Sequence, residues 1–163
     1  MTVIAGYRDK KNLWIGGDSG AFDGDSVMLI SEPKVWRAED SLIGFAGGFR
    51  LAEIAEESNL GDPYALRDHI LTAYKSTDEA ISDNDTGFLV VHKDGIFVIT
   101  SDFAVVKSRE NYGAEGAGAL SAMSALFALE GVTMTGKERI TTALKATAHL
   151  TTSARAPFKI LSI

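Results

Sequence analysis

"TVIAGYRDKKNLWIGGDSG" (residues 2–20) holds two short runs rich in apolar and β-branched residues, separated by the polar turn "DKKN". That pattern predicts a β-hairpin over residues 2–18, with Asp18 just past the second strand. The following "SGAFDGDSVMLISEP" (19–33) is rich in Gly, Asp and Ser and reads as a loop with an apolar insert. A second hairpin follows: "KVWRA" (34–38), the turn "ED", then "SLIGFAG" (41–47). Four strands are therefore expected within the first 47 residues.

After the glycines at 47 and 48 the periodicity changes. Leu51, Ile54, Ala55 and Ser58 fall at helical spacing, with acidic residues on the other face. A second helix opens in "GDPYALRDHILTAYKS" (61–76), where Asp62 suits the N-cap and Pro63 the first helical position. Its apolar stripe is Leu66, Ile70 and Tyr74. "GFLVVHKDGIFVITSD" (87–102) is a third hairpin, and "AVVKS" (104–108) and "NYGAE" (111–115) are shorter strand candidates. "GALSAMSALFALEG" (118–131) reads as a helix closed by Gly131. Thr135 and Glu138 form a capping box that opens a fourth helix, ending about His149, and "FKILSI" (158–163) is a last strand.

Strands, two helices, strands, two helices and a strand imply α+β layering rather than alternating βα units. The expected architecture is a four-layer αββα sandwich: two antiparallel sheets face to face, each covered outside by a helix pair. No linker, repeat or low-complexity stretch interrupts residues 1–163, so one domain is expected.

Composition excludes several functions. With 16 basic against 22 acidic side chains the net charge is −6, which offers no footprint for nucleic acid. Cysteine is absent, so disulfides, thiolate metal sites and cysteine nucleophiles are excluded. His69, His92 and His149 are scattered without metal-ligand spacing. No apolar run approaches the roughly 18 residues of a membrane span, and no basic stretch with an apolar core marks a signal peptide. A cytoplasmic protein without membrane association, metal or cofactor is expected.

The polar residues at the strand ends are the candidates for chemistry. Asp18 follows the second strand and Lys34 opens the third, so neighbouring strands would bring both to the start of the first, at Thr2. Taken as a pair alone, they could equally be a surface ion pair worth about 0–1 kcal/mol. "GFAGG" (44–48) lies where a strand hands over to a helix. Its glycines suit either a tight turn or a cradle for an oxyanion, and spacing does not choose between them. "GDSG" (17–20) matches a serine-protease motif in letters, but no histidine precedes it. "GGDSGAFDGD" (16–25) also lacks the lysine of a phosphate-binding loop.

Jointly these residues resemble N-terminal nucleophile (Ntn) hydrolases of the proteasome β-subunit and HslV type. That family carries an aspartate sixteen residues after its threonine nucleophile and a lysine thirty-two after it. Counted from Thr2, these are Asp18 and Lys34. "IGFAGG" (43–48) matches the family's turn, whose first glycine supplies the oxyanion N–H, and points to Gly44. The resemblance covers nearly the whole chain, most strongly the first 60 residues.

It implies a threonine peptidase whose nucleophile Thr2 uses its own α-amine as base once Met1 is removed. It further implies a ring-shaped homo-oligomer, unfolded polypeptide or peptide as substrate, and an ATP-dependent unfoldase as partner. The resemblance departs at two places. The serine of the family's "GSG" is replaced by Ala117 in "EGAG" (115–118), and the acid near the end of its last helix falls at His149. A catalytically silent relative serving as a structural subunit is therefore the alternative, and hydrolysis of small amides a third.

Overall fold

A computed structural model describes residues 1–23, 26–76 and 85–163. The first hairpin forms as expected: β1 (Ile4–Arg8) and β2 (Leu13–Gly17) pair antiparallel, with Ile4 opposite Gly17 and Arg8 opposite Leu13. β10 (Tyr112–Glu115) joins the free edge of β1, and β11 (Lys159–Ser162) joins β2. The second sheet contains β5 (Val35–Ala38), β6 (Ser41–Ala46), β7 (Gly87–His92), β8 (Gly95–Ile99) and β9 (Val105–Lys107) in that spatial order. All strand pairs described are antiparallel.

Side-chain alternation along these strands creates the layers. Ile4, Leu13 and Ile15 from the first sheet meet Val35, Leu42, Leu89, Val91 and Ile96 from the second, forming the inter-sheet core. Residues one position along face outward. Ile43, Phe45, Phe88 and Val90 pack under α1 (Phe49–Ser58) and α2 (Pro63–Ser76), through Leu51, Ala55, Leu66 and Ile70. Ala5, Tyr7 and Trp14 pack under α3 (Ala119–Ala128) and α4 (Gly136–Leu150), through Leu126, Ile140 and Leu144. The order helix, sheet, sheet, helix follows directly from that alternation.

The helix starts carry the local signals. Asp62 Oδ1 accepts from the N–H groups of Tyr64 and Ala65 at 3.0 and 2.9 Å, ahead of α2. At α4 the Glu138 N–H donates to Thr135 Oγ1 at 3.2 Å, while the Thr135 N–H donates to Glu138 Oε2 at 2.7 Å. Each such cap contributes about 1 kcal/mol.

One expectation is corrected. The segment read as a loop with an apolar insert holds a further antiparallel strand pair, β3 (Gly20–Asp23) with β4 (Ser26–Leu29). All four β4 residues are exposed. A strand that buries neither face has no reason to alternate polar and apolar residues, so it leaves no period-2 signal.

Candidate active site

Thr2, Asp18 and Lys34 converge at one end of the inter-sheet layer. Thr2 precedes β1, and its carbonyl accepts from the Gly118 N–H at 3.1 Å. Asp18 follows β2, and its N–H donates to the Val3 carbonyl at 3.3 Å. Lys34 comes from the other sheet, immediately before β5, with its carbonyl accepting from the Phe45 N–H at 3.1 Å. Each residue is thus held by backbone ladder contacts, and the two sheets together define the site.

The side chains are nearly sealed: Thr2 is 7% exposed, Asp18 and Lys34 2% each. Lys34 Nζ donates to Thr2 Oγ1 at 2.7 Å, to Asp18 Oδ1 at 3.0 Å, and to the Gly20 carbonyl. These contacts occupy all three ammonium protons. Burial pushes the Lys34 pKa down, and the Asp18 carboxylate opposes that shift. Asp18 Oδ1 also accepts from the Val3 N–H at 3.2 Å, and Oδ2 accepts from the N–H groups of Gly20 and Arg155 at 3.0 and 3.1 Å. The pair is a buried charge network with its carboxylate fully hydrogen-bonded, not a surface contact.

The Thr2 hydroxyl faces a cavity of about 390 Å³ whose lining includes Met1, Lys34, Gly47, Gly48, Glu115 and Ala117. Thr2 Oγ1 donates to the Met1 carbonyl at 2.7 Å. Gly116 is required beside it. Its φ is +93°, and a Cβ there would lie 2.5 Å from the Thr2 carbonyl oxygen.

Gly44 does not share this cavity. It sits inside β6, paired with Val35 on one side and Leu89 on the other, and a Cβ there would strike Ile4 at 2.6 Å. Its role is close packing of the two sheets. The glycines of "GFAGG" that reach the cavity are Gly47 and Gly48, past the strand end, where backbone groups leave the ladder. The Gly48 N–H donates to Thr86 Oγ1 at 2.8 Å, whereas the Gly47 N–H makes no hydrogen bond to the described residues.

Of the two departures noted in the sequence, Ala117 lines the cavity without a hydroxyl to offer. His149 is exposed on the last turn of α4 and is not part of the lining. Several partners had no signal in the sequence. The Arg155 N–H reaches Asp18 from 137 positions further along the chain, and Glu115 enters the cavity from a strand edge. Among the described residues no group of three or more His, Cys, Asp or Glu is arranged to hold a metal, and no helix is long and apolar enough to cross a membrane.

No protein-family model matches the chain. Solved structures do match its fold over nearly the whole length. BPH of Thiobacillus denitrificans in complex with epoxomicin superposes with a TM-score of 0.84 at 16% identity, over 99% of this chain and 98% of that one. HslV from Trypanosoma brucei gives 0.79 at 20% identity, over 99% and 98%. An Anbu mutant from a Hyphomicrobium species gives 0.74 at 13% identity, over 98% and 81%. With two sheets between two helix pairs and this agreement along the chain, the protein has the proteasome-like Ntn-hydrolase fold.

Proposed function

We propose that the protein is an N-terminal threonine hydrolase that cleaves peptide bonds once Met1 has been removed. The observation that carries this reading is the 2.7 Å contact from Lys34 Nζ to Thr2 Oγ1, with Lys34 locked by Asp18 and Thr2 beside an open cavity. A cation held against a hydroxyl stabilises the alkoxide and, by like-charge repulsion, lowers the pKa of an α-amine on the same residue. Such an amine has a reference pKa of about 7.7–8.0, so a useful fraction is neutral near pH 7.

The step balances without a cofactor. Thr2 Oγ adds to the substrate carbonyl carbon as its proton passes to the α-amine. The oxyanion forms beside the Gly47 N–H, which takes the donor role that the family resemblance gave to Gly44. As the C–N bond breaks, the α-ammonium returns its proton to the leaving amine. Water then adds to the acyl ester with the same amine as base, the C–O bond breaks, and Oγ regains its proton. A recess sharing Ala21 and Phe49 with the cavity, and floored by Trp36, Phe45 and Ala52, would receive a substrate side chain.

The proposal includes unfolded polypeptide supplied by an ATP-dependent unfoldase, and two features support its ring of identical subunits acting on peptide: the likeness to HslV, and exposed apolar side chains. Leu120 and Phe127 project from α3, and Val27, Met28 and Leu29 from the β3–β4 pair. Leu71 on α2 is partly exposed as well. Light scattering that finds only a 17.4 kDa particle at micromolar concentration would remove the ring from this reading.

The test of activity begins with intact mass, to verify a Thr2-terminal chain. Epoxomicin, bound in the Thiobacillus denitrificans neighbour, is the probe. It should add its mass to wild type and not to Thr2→Ala, and small peptide amides should be cleaved by wild type but not by Lys34→Ala. Failure of both reactions on a verified sample would leave the structural-subunit reading in place. Ala117 favours that second reading, because no hydroxyl at this position orients the amine. Misplacement of a reacting group costs about a hundredfold, so slow turnover is expected and Ala117→Ser should raise it.

A further inference from the structure

Glu115 is a cavity carboxylate that the reaction above does not use. It ends β10 opposite Ile4 of β1, and Ile4 points into the inter-sheet layer. The Glu115 side chain takes the same direction: a Cβ added to Gly87, on β7 of the other sheet, would lie 2.7 Å from its Oε1. Any larger residue at 87 would displace the carboxylate. Glu115 therefore spans the open end of the sandwich and forms part of the lining that also holds Thr2.

Its carboxylate lacks a cationic side-chain partner among the described residues. The side chain is partly buried, and burial pushes its pKa up, with the Gly116 N–H opposing that shift. No Lys, Arg or His of the described residues lies within 4.0 Å of its carboxylate. Lys34 is the one basic side chain in the lining, and its protons are committed to Thr2, Asp18 and Gly20. Asp85, the other acidic residue among the described lining residues, is of the same chemical type as Glu115. A partly desolvated carboxylate with no cationic side chain beside it gains from a cation brought by a ligand.

We propose that Glu115 makes the cavity selective for substrates with a cationic side chain, lysine or arginine, at a residue flanking the cleaved bond. The inference rests on the reading of this cavity as the substrate site. Selectivity has a repulsive half as well, because an acidic side chain in the same place would meet both Glu115 and Asp85. Glu32, Glu53 and Glu56 line the adjoining recess, so a bare preference for cations would not identify its source. Substitution at Glu115 alone does.

The experiment uses fluorescein-labelled hexapeptide amides that differ in one residue, Lys, Gln or Glu, placed on either side of the central bond. Binding to the verified Thr2-terminal chain is read by fluorescence anisotropy at pH 8. For at least one placement, the Lys peptide should bind about tenfold tighter than its Gln counterpart, the scale of one partly exposed charge-assisted hydrogen bond. Glu115→Gln should collapse that ratio to within about twofold, and Glu115→Asp, with its charge withdrawn by one methylene, should give an intermediate ratio. Melting curves identify any variant that has not folded.

Equal binding of all peptides to wild type, or a Lys preference that survives Glu115→Gln, overturns the proposal and leaves the substrate-site reading standing. Absence of binding by every peptide overturns both. A Glu115-dependent preference in a chain that cleaves nothing overturns the catalytic reading alone.

Discussion

Replacing Asp18 by Asn tests the physical basis of the site without requiring any activity. The two side chains of the pair are 2% and 0% exposed, so Lys34 would keep its charge in a sealed place with no counter-ion. Loss of one partner of a buried pair costs about 3–5 kcal/mol. The hydrogen bonds lead to a similar figure. Asp18 accepts from Val3, Gly20, Arg155 and Lys34, whereas Asn offers one acceptor oxygen and turns an NH₂ group toward two of those donors. A buried donor left unsatisfied costs about 1–3 kcal/mol. These are two views of one loss, so about 4 kcal/mol is expected.

Urea unfolding followed by circular dichroism at pH 7 would read that loss directly. Melting should fall by about 8–16 °C, since a domain of this size shifts about 2–4 °C per kcal/mol. The penalty should also shrink toward alkaline pH. Deprived of Asp18, the buried ammonium has a pKa below that of the unfolded chain. Between those two values the unfolded state binds more protons, and stability rises with pH. Adding Lys34→Met to Asp18→Asn removes both charges and should restore at least ~1 kcal/mol over the single variant. A loss under about 1 kcal/mol for Asp18→Asn, as for an exposed pair, would refute the reasoning, and so would full additivity of the two substitutions.

Hydrolysis by the Thr2-terminal chain should follow a bell-shaped pH profile. The acid limb is deprotonation of the α-amine, which must be neutral to act as base. The alkaline limb is loss of the Lys34 proton, and it should fall below the ordinary lysine value of about 10.4 because burial pushes that pKa down. Initial rates across pH 6–11 would check it, and a profile flat through the upper range would be contrary. Gly116→Ala should lower stability by about 2 kcal/mol or more, because φ is +93° and the new Cβ would lie 2.5 Å from the Thr2 carbonyl oxygen. Thermal unfolding of the variant reads this, and an unchanged melting temperature would contradict the placement of Gly116.

Much of the fold is written in local patterns. Apolar runs bounded by turn residues along 2–18, 34–47 and 87–102, the Asp62 and Thr135 caps, and the stripe of Leu66 and Ile70 each describe an element through its own neighbours in the chain. Asp18 and Lys34 sit at strand boundaries, the family resemblance nominated them by their spacing from Thr2, and the elements bring all three together. Tertiary structure decided the rest. Gly44 lies between its strand neighbours with its missing side chain directed at Ile4, a direction that depends on which sheet face is inside. The exposed β4 strand leaves no alternation to read, since neither of its faces meets a core. Arg155 and Glu115 reach the site from segments more than a hundred residues beyond Thr2. A hydrogen bond to Asp18 or a carboxylate over Gly87 is a property of two sheets meeting, and no local sequence pattern encodes the distance between them.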